Sequence, residues 1–134
     1  MMKDLGLIVD YGVIGILLVL SLLSLFFFIE RLISIYNIDM SKEKNPELSL
    51  TKNTTFISIV ASNAAYIGLL GTVLAIMQTF YEMGSLESAK IMMSLSLALK
   101  TTAIGLAVAI EATVLYNILA RLIERKLSSI NEKI

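Results

Sequence analysis

Residues 11–29 read YGVIGILLVLSLLSLFFFI, nineteen positions without a formal charge between Asp10 and Glu30, composed largely of Leu, Val, Ile and Phe. About 20 such residues, at about 1.5 Å of rise each, cross the hydrocarbon core of a bilayer as a helix. A cleaved secretory leader is the competing reading. Its first segment should be basic, yet Lys3 is outweighed by Asp4 and Asp10, and the far end, FFFIER at 26–31, lacks the small residues of a cleavage site. The stretch is therefore expected to remain as a membrane helix.

The rest of the chain agrees. Hydrophobic residues make up 57% of its 134 positions and the mean hydropathy is +0.82, above the roughly 45 to 50% of a soluble domain. Residues 30–53 hold most of the interior charge and the single proline, Pro46, and form the polar connection. Residues 54–81 are again free of formal charge and supply a second span. A short link at 82–90 follows, in which Gly84 can end one helix and Ser85 or Ser88 can cap the next. Residues 91–120 are apolar except for Lys100 and Glu111 and supply a third span. Residues 121–134 read as its amphipathic continuation. The expected fold is an all-α membrane protein with three transmembrane helices, the second and third of them long.

Basic residues orient it. Residues 1–10 contain Lys3 alone and the 82–90 link Lys90 alone. The 30–53 connection holds Arg31, Lys42, Lys44 and Lys52, and the tail holds Arg121, Arg125, Lys126 and Lys133. Cytoplasmic segments are enriched in Lys and Arg, so the N-terminus is expected outside, with the connection and the C-terminus inside.

Composition also narrows the chemistry. Without His or Cys the chain lacks the imidazole and thiolate ligands of an ordinary zinc site, a Ser-His-Asp relay, a thiol nucleophile and disulfides. Eleven basic residues balance eleven acidic ones, with no basic cluster interleaved with aromatics, so nucleic acid is not expected as a partner. No paired carboxylates or phosphate-cradling loop suggest an enzyme, and no metal or cofactor is called for.

The second and third spans carry small residues in a pattern. At about 100° per residue, Ala61, Ala65, Gly68, Ala75 and Thr79 fall within roughly 60° of Thr72. The same construction gathers Ala98, Thr102, Gly105, Ala109, Ala112 and Tyr116 on the third span. In lipid, close backbone approach and hydrogen bonds between helices drive association, and small residues and hydroxyls mark the interface. Helix packing accounts for such Ala and Gly residues. Thr72 and Thr102 are the stronger functional candidates, since a hydroxyl near mid-span either bonds the carbonyl four residues back or lines a hydrated path. Lys100 and Glu111, eleven residues apart, share the opposite face at roughly 16 Å separation and cannot touch. Pairing with another subunit or partner helix, snorkelling of the side chain to the interface, and a proton relay are all open to them.

The segment YIGLLGTVLAIM at 66–77, followed by Phe80, resembles the second-span signature of the ExbB/TolQ/MotA proteins, and ALKTTAIGLAVAI at 98–110, with Tyr116 and Asn117 beyond it, resembles that of their third span. The two motifs cover about a third of the chain. The resemblance implies an inner-membrane motor subunit, most like a short ExbB. Five copies would ring the helices of an ExbD-like single-span partner with an intramembrane Asp, and a TonB-like protein would couple inward proton flow to outer-membrane transport. It assigns Thr72 and Thr102 to the lining of the inner passage. The small faces around them, Ala65, Gly68, Ala75, Gly105 and Ala109, would surround the partner, with lipid outside.

Two departures stand out. An acidic residue frequent in ExbB proteins aligns with Leu97, and the family's proline after the Ala-Ile pair is Glu111. The short 30–53 connection favours ExbB over MotA. A TolQ-like subunit of the Tol-Pal system, or a structural membrane scaffold without proton coupling, are the alternatives.

Overall fold

The computed structural model describes residues 2–37, 45–82 and 88–132. It is all-helical: α1 spans Met2–Asn37, α2 Pro46–Thr51, α3 Thr54–Glu82 and α4 Ser88–Glu132. Three of these helices are long and apolar enough to cross a membrane. Gly84 and Ser85, the expected stop and cap between the second and third spans, lie outside the described residues, as do Lys42, Lys44 and Lys133.

The helices outrun the uncharged stretches that announce them. α1 continues eight residues past Ile29 to Asn37, because Glu30, Arg31 and Ser34 satisfy one another along its surface. Arg31 Nε and Nη2 donate to the two oxygens of Glu30 at 2.7 and 2.5 Å, and Ser34 Oγ donates to Glu30 at 3.2 Å. The 30–53 connection is therefore helical at both ends. Asn45 caps α2, its side chain accepting from the Leu48 amide at 3.3 Å, with Pro46 in the first turn, where no amide is required. Asn53 (φ 66°) then turns the chain into α3 in a left-handed conformation that Asn tolerates. The third span and the tail form one unbroken 45-residue helix.

α3 and α4 lie antiparallel in the most extensive contact of the fold, and α1 packs against both. Two kinds of packing follow one another along this pair. Toward the α2 end, Leu50, Ile57, Val60, Leu115, Leu119 and Ile123 form a large-residue core with Ile35 of α1, and Phe27 meets Phe56 edge to face at 5.0 Å. Toward the other end the interface shrinks to Ala, Gly and Thr. Outside, the bundle is coated with large apolar side chains. Ile110 is 64% exposed and Leu22 67%. At the Ala, Gly and Thr end, small residues inside and large ones outside is the arrangement expected where lipid is the solvent.

The threonine seam between α3 and α4

Gly68 and Gly105 bring the two backbones together. A Cβ on Gly105 would lie 2.8 Å from both the Ala64 carbonyl oxygen and the Gly68 Cα, and one on Gly68 would lie 2.7 Å from the Thr101 carbonyl oxygen. Glycine is required at both positions for this approach. Gly71 makes similar room for α1, since a Cβ there would meet Val13 Cγ1 at 3.0 Å and Thr101 Oγ1 at 3.3 Å.

One turn from this contact, three hydroxyls cluster. Thr72 Oγ1 lies 2.8 Å from the Ala98 carbonyl oxygen, 3.2 Å from that of Gly68 and 3.1 Å from Thr101 Oγ1, and is also in hydrogen-bond contact with Thr102 Oγ1. Thr101 Oγ1 donates to Ala98 at 2.7 Å. Each hydroxyl has one proton to give. One assignment satisfies all three groups: Thr72 and Thr101 both donate to Ala98, and Thr102 donates to Thr72. Reversing the Thr102–Thr72 link takes the single Thr72 proton away from the Ala98 carbonyl, which keeps Thr101 as its donor.

Burial separates the sequence-derived candidates into two sets. Thr72, Gly68 and Gly105 are buried, whereas Ala65, Ala75, Thr102 and Ala109 remain partly exposed. Ala65, Thr102 and Ala109 mark one edge of the seam. Ser21 Oγ of α1 donates to Glu111 Oε2 at 2.6 Å, so Glu111 points toward α1, and Thr102, nine residues earlier, is turned 180° from it. On α3, Gly71 faces Val13 of α1, and Ala65 and Thr72 lie about 120° and 100° around the helix from it. The edge bearing Ala65, Thr102 and Ala109, with Thr72 buried just inside it, thus faces away from α1, whereas Ala75 lies only about 40° around α3 from Gly71, on the α1 side.

The structure holds groups that sequence reasoning missed. Thr101 is fully buried at the seam centre. The buried row on α4 runs 98, 101, 105, 108, 112, 115, 119; its i+3, i+4 spacing was a usable signal, partly hidden because 108, 115 and 119 are Val and Leu. Glu111 has an intrachain partner, Ser21, which the alternatives of subunit pairing, snorkelling and relay did not include, and its Oε1 is buried with no hydrogen-bond partner. Lys100, eleven residues earlier on the same face, is exposed. Arg31 is buried and ties α1 to the end of α2, donating from Nη1 to the Ser49 carbonyl at 2.7 Å.

A model of the MotA/TolQ/ExbB proton channel family matches residues 29–132. The chain is 47% identical over 133 residues to the biopolymer transport protein ExbB of Aquifex aeolicus (strain VF5), covering 95% of this chain and 90% of that one. It is 47% identical over 127 residues to ExbB of Helicobacter pylori (strain J99), covering 90% and 86%. Similarity to the Tol-Pal system protein TolQ of Haemophilus influenzae is 39% over 84 residues, 60% of this chain and 36% of TolQ. With three long apolar helices and a family match over most of its length, the chain belongs to the MotA/TolQ/ExbB proton channel family.

Proposed function

We propose that this chain is the ExbB-type subunit of an inner-membrane stator. Copies of it, five by the resemblance, surround the membrane helices of an ExbD-like partner. The partner's aspartate is protonated from one side and released on the other, and a TonB-like protein carries the work to outer-membrane transport. Membrane potential contributes about 2.3 kcal/mol per charge per 100 mV. No covalent chemistry is asked of this chain. The N-terminus is periplasmic and the C-terminus cytoplasmic, as the distribution of Lys and Arg favours.

The observation that carries this reading is the open edge of the seam. Ala65 and Ala109 give a partner helix a smooth surface, and Thr102, hydrogen-bonded through Thr72 to the Ala98 carbonyl, supplies a hydroxyl that donates or accepts as the neighbouring charge changes. The extent of identity to ExbB supports the same choice, while the shorter TolQ match keeps a Tol-Pal role as the second reading.

Co-purification with a single-span protein bearing an intramembrane Asp, followed by native mass measurement, tests the assembly. A ring of this chain around that partner is expected. Stable pores formed by this chain alone, with no affinity for such a partner, would replace the stator with a scaffold.

A further inference from the structure

The tail of α4 carries a second polar site, unconnected with the threonine seam. Arg121, Glu124, Arg125 and Ser128 line a shallow pocket of about 230 Å³. They stand at i, i+3, i+4 and i+7, on one face of the helix. Among the described residues neither arginine has an ion pair or a hydrogen bond. Arg31, by contrast, is wholly engaged by Glu30, Ser34 and Ser49.

The depth of this pocket follows from helix register. α1 and α4 run parallel, and Ser21 and Glu111 are in contact. Ser21 lies at the middle of the uncharged run 11–29. Glu111 is the single formal charge in the twenty residues between Lys100 and Arg121. Ten residues beyond these partners come Arg31 on α1 and Arg121 on α4, so Arg121 lies level with the first charges past the α1 run. On the three-span reading of the chain, on which this step rests, that is the level of lipid headgroups.

Two uncommitted guanidiniums a turn apart at this depth match a phosphodiester, whose non-bridging oxygens accept from their planar forks. The Ser128 hydroxyl adds a donor. Glu124 opposes a bare anion but accepts from headgroup hydroxyls. We propose that Arg121, Arg125 and Ser128, with Glu124, bind the headgroup of an anionic phospholipid of the phosphatidylglycerol type, anchoring the inner end of α4 to its leaflet.

Native mass spectrometry of the full chain in non-ionic detergent, with phosphatidylglycerol or phosphatidylethanolamine added, tests this without partner or proton flow, so its failure leaves the stator reading where it stood. Retention of phosphatidylglycerol over phosphatidylethanolamine is expected, falling about tenfold in the Arg121→Ala/Arg125→Ala double variant and less in the Lys-for-Arg pair, which keeps charge but loses the fork. Lys52→Ala, removing an exposed charge elsewhere, is expected to change nothing. Equal retention by the double variant, an equal loss in Lys52→Ala, indifference to headgroup, or displacement of the lipid by an equal concentration of inorganic phosphate would each overturn the proposal.

Discussion

Gly68 and Gly105 lie so close across the α3–α4 seam that a Cβ on Gly105 would sit 2.8 Å from the Cα of Gly68. Real Cβ atoms do not approach backbone so tightly, and the obstacle is main chain, which cannot swing aside. The contact sets the helix separation at which Thr72 reaches the Ala98 carbonyl.

Gly105→Ala is therefore expected to push the helices apart and destabilise the fold by about 1–3 kcal/mol, the usual range for overpacking. Gly12→Ala is the control, because a Cβ there meets nothing within 4 Å. Reversible unfolding in detergent reads the difference; equal midpoints would contradict the close approach.

Thr72→Val and Thr102→Val separate structure from transport. Both keep the side-chain volume and remove a hydroxyl. Thr72 is buried and bonded to Ala98, so its variant loses stability by about 1 kcal/mol along with energised uptake. Thr102, at the open edge, is expected to lose uptake with little change in stability. Siderophore-dependent growth alongside thermal unfolding checks both, and normal growth of the Thr102 variant would reject a hydroxyl-lined path.

Ser21 and Glu111 are expected to be coupled. A double-mutant cycle with Ser21→Ala and Glu111→Gln should give a coupling energy between about 0.6 kcal/mol, the average for interhelical hydrogen bonds in membranes, and about 1.7 kcal/mol, their upper value. Additive effects would mean that the two side chains do not bond in the assembled protein.

Arg31→Met is expected to release α2 from α1. It removes the donor to the Ser49 carbonyl and the partner of Glu30, a loss of about 1.5–3 kcal/mol for bonds involving a charged group. Faster proteolytic cleavage within residues 38–52 of inside-out vesicles would show it, and an unchanged cleavage rate would count against the clamp.

The three spans were legible because uncharged runs of membrane length are a direct consequence of the bilayer as solvent. Helix limits were less so. Glu30 and Arg31 read as the end of a span, since charges belong outside lipid, but they neutralise each other on the helix surface and let it continue to Asn37. The small-residue stripes were found with their axis displaced by about half a residue's turn. The sequence reading put 98, 102, 105, 109, 112 and 116 on the small face of α4, and the structure buries 98, 105 and 112 of these together with 101, 108 and 115. Small residues line both the centre of the seam and its open edge, so composition does not distinguish them. The Ser21–Glu111 bond joins positions 90 residues apart and depends on the register of α1 against α4, which no local pattern records.

Because the chain has no cysteine, single-cysteine variants can map what faces the partner. Disulfide cross-linking from Ala65→Cys and Ala109→Cys, on the open edge, and from Ile16→Cys, on the exposed side of α1, to a cysteine beside the partner's intramembrane aspartate is the most direct measurement. Efficient cross-links from positions 65 and 109 and none from 16 are expected; the reverse pattern would show that the threonine seam does not line the partner's path.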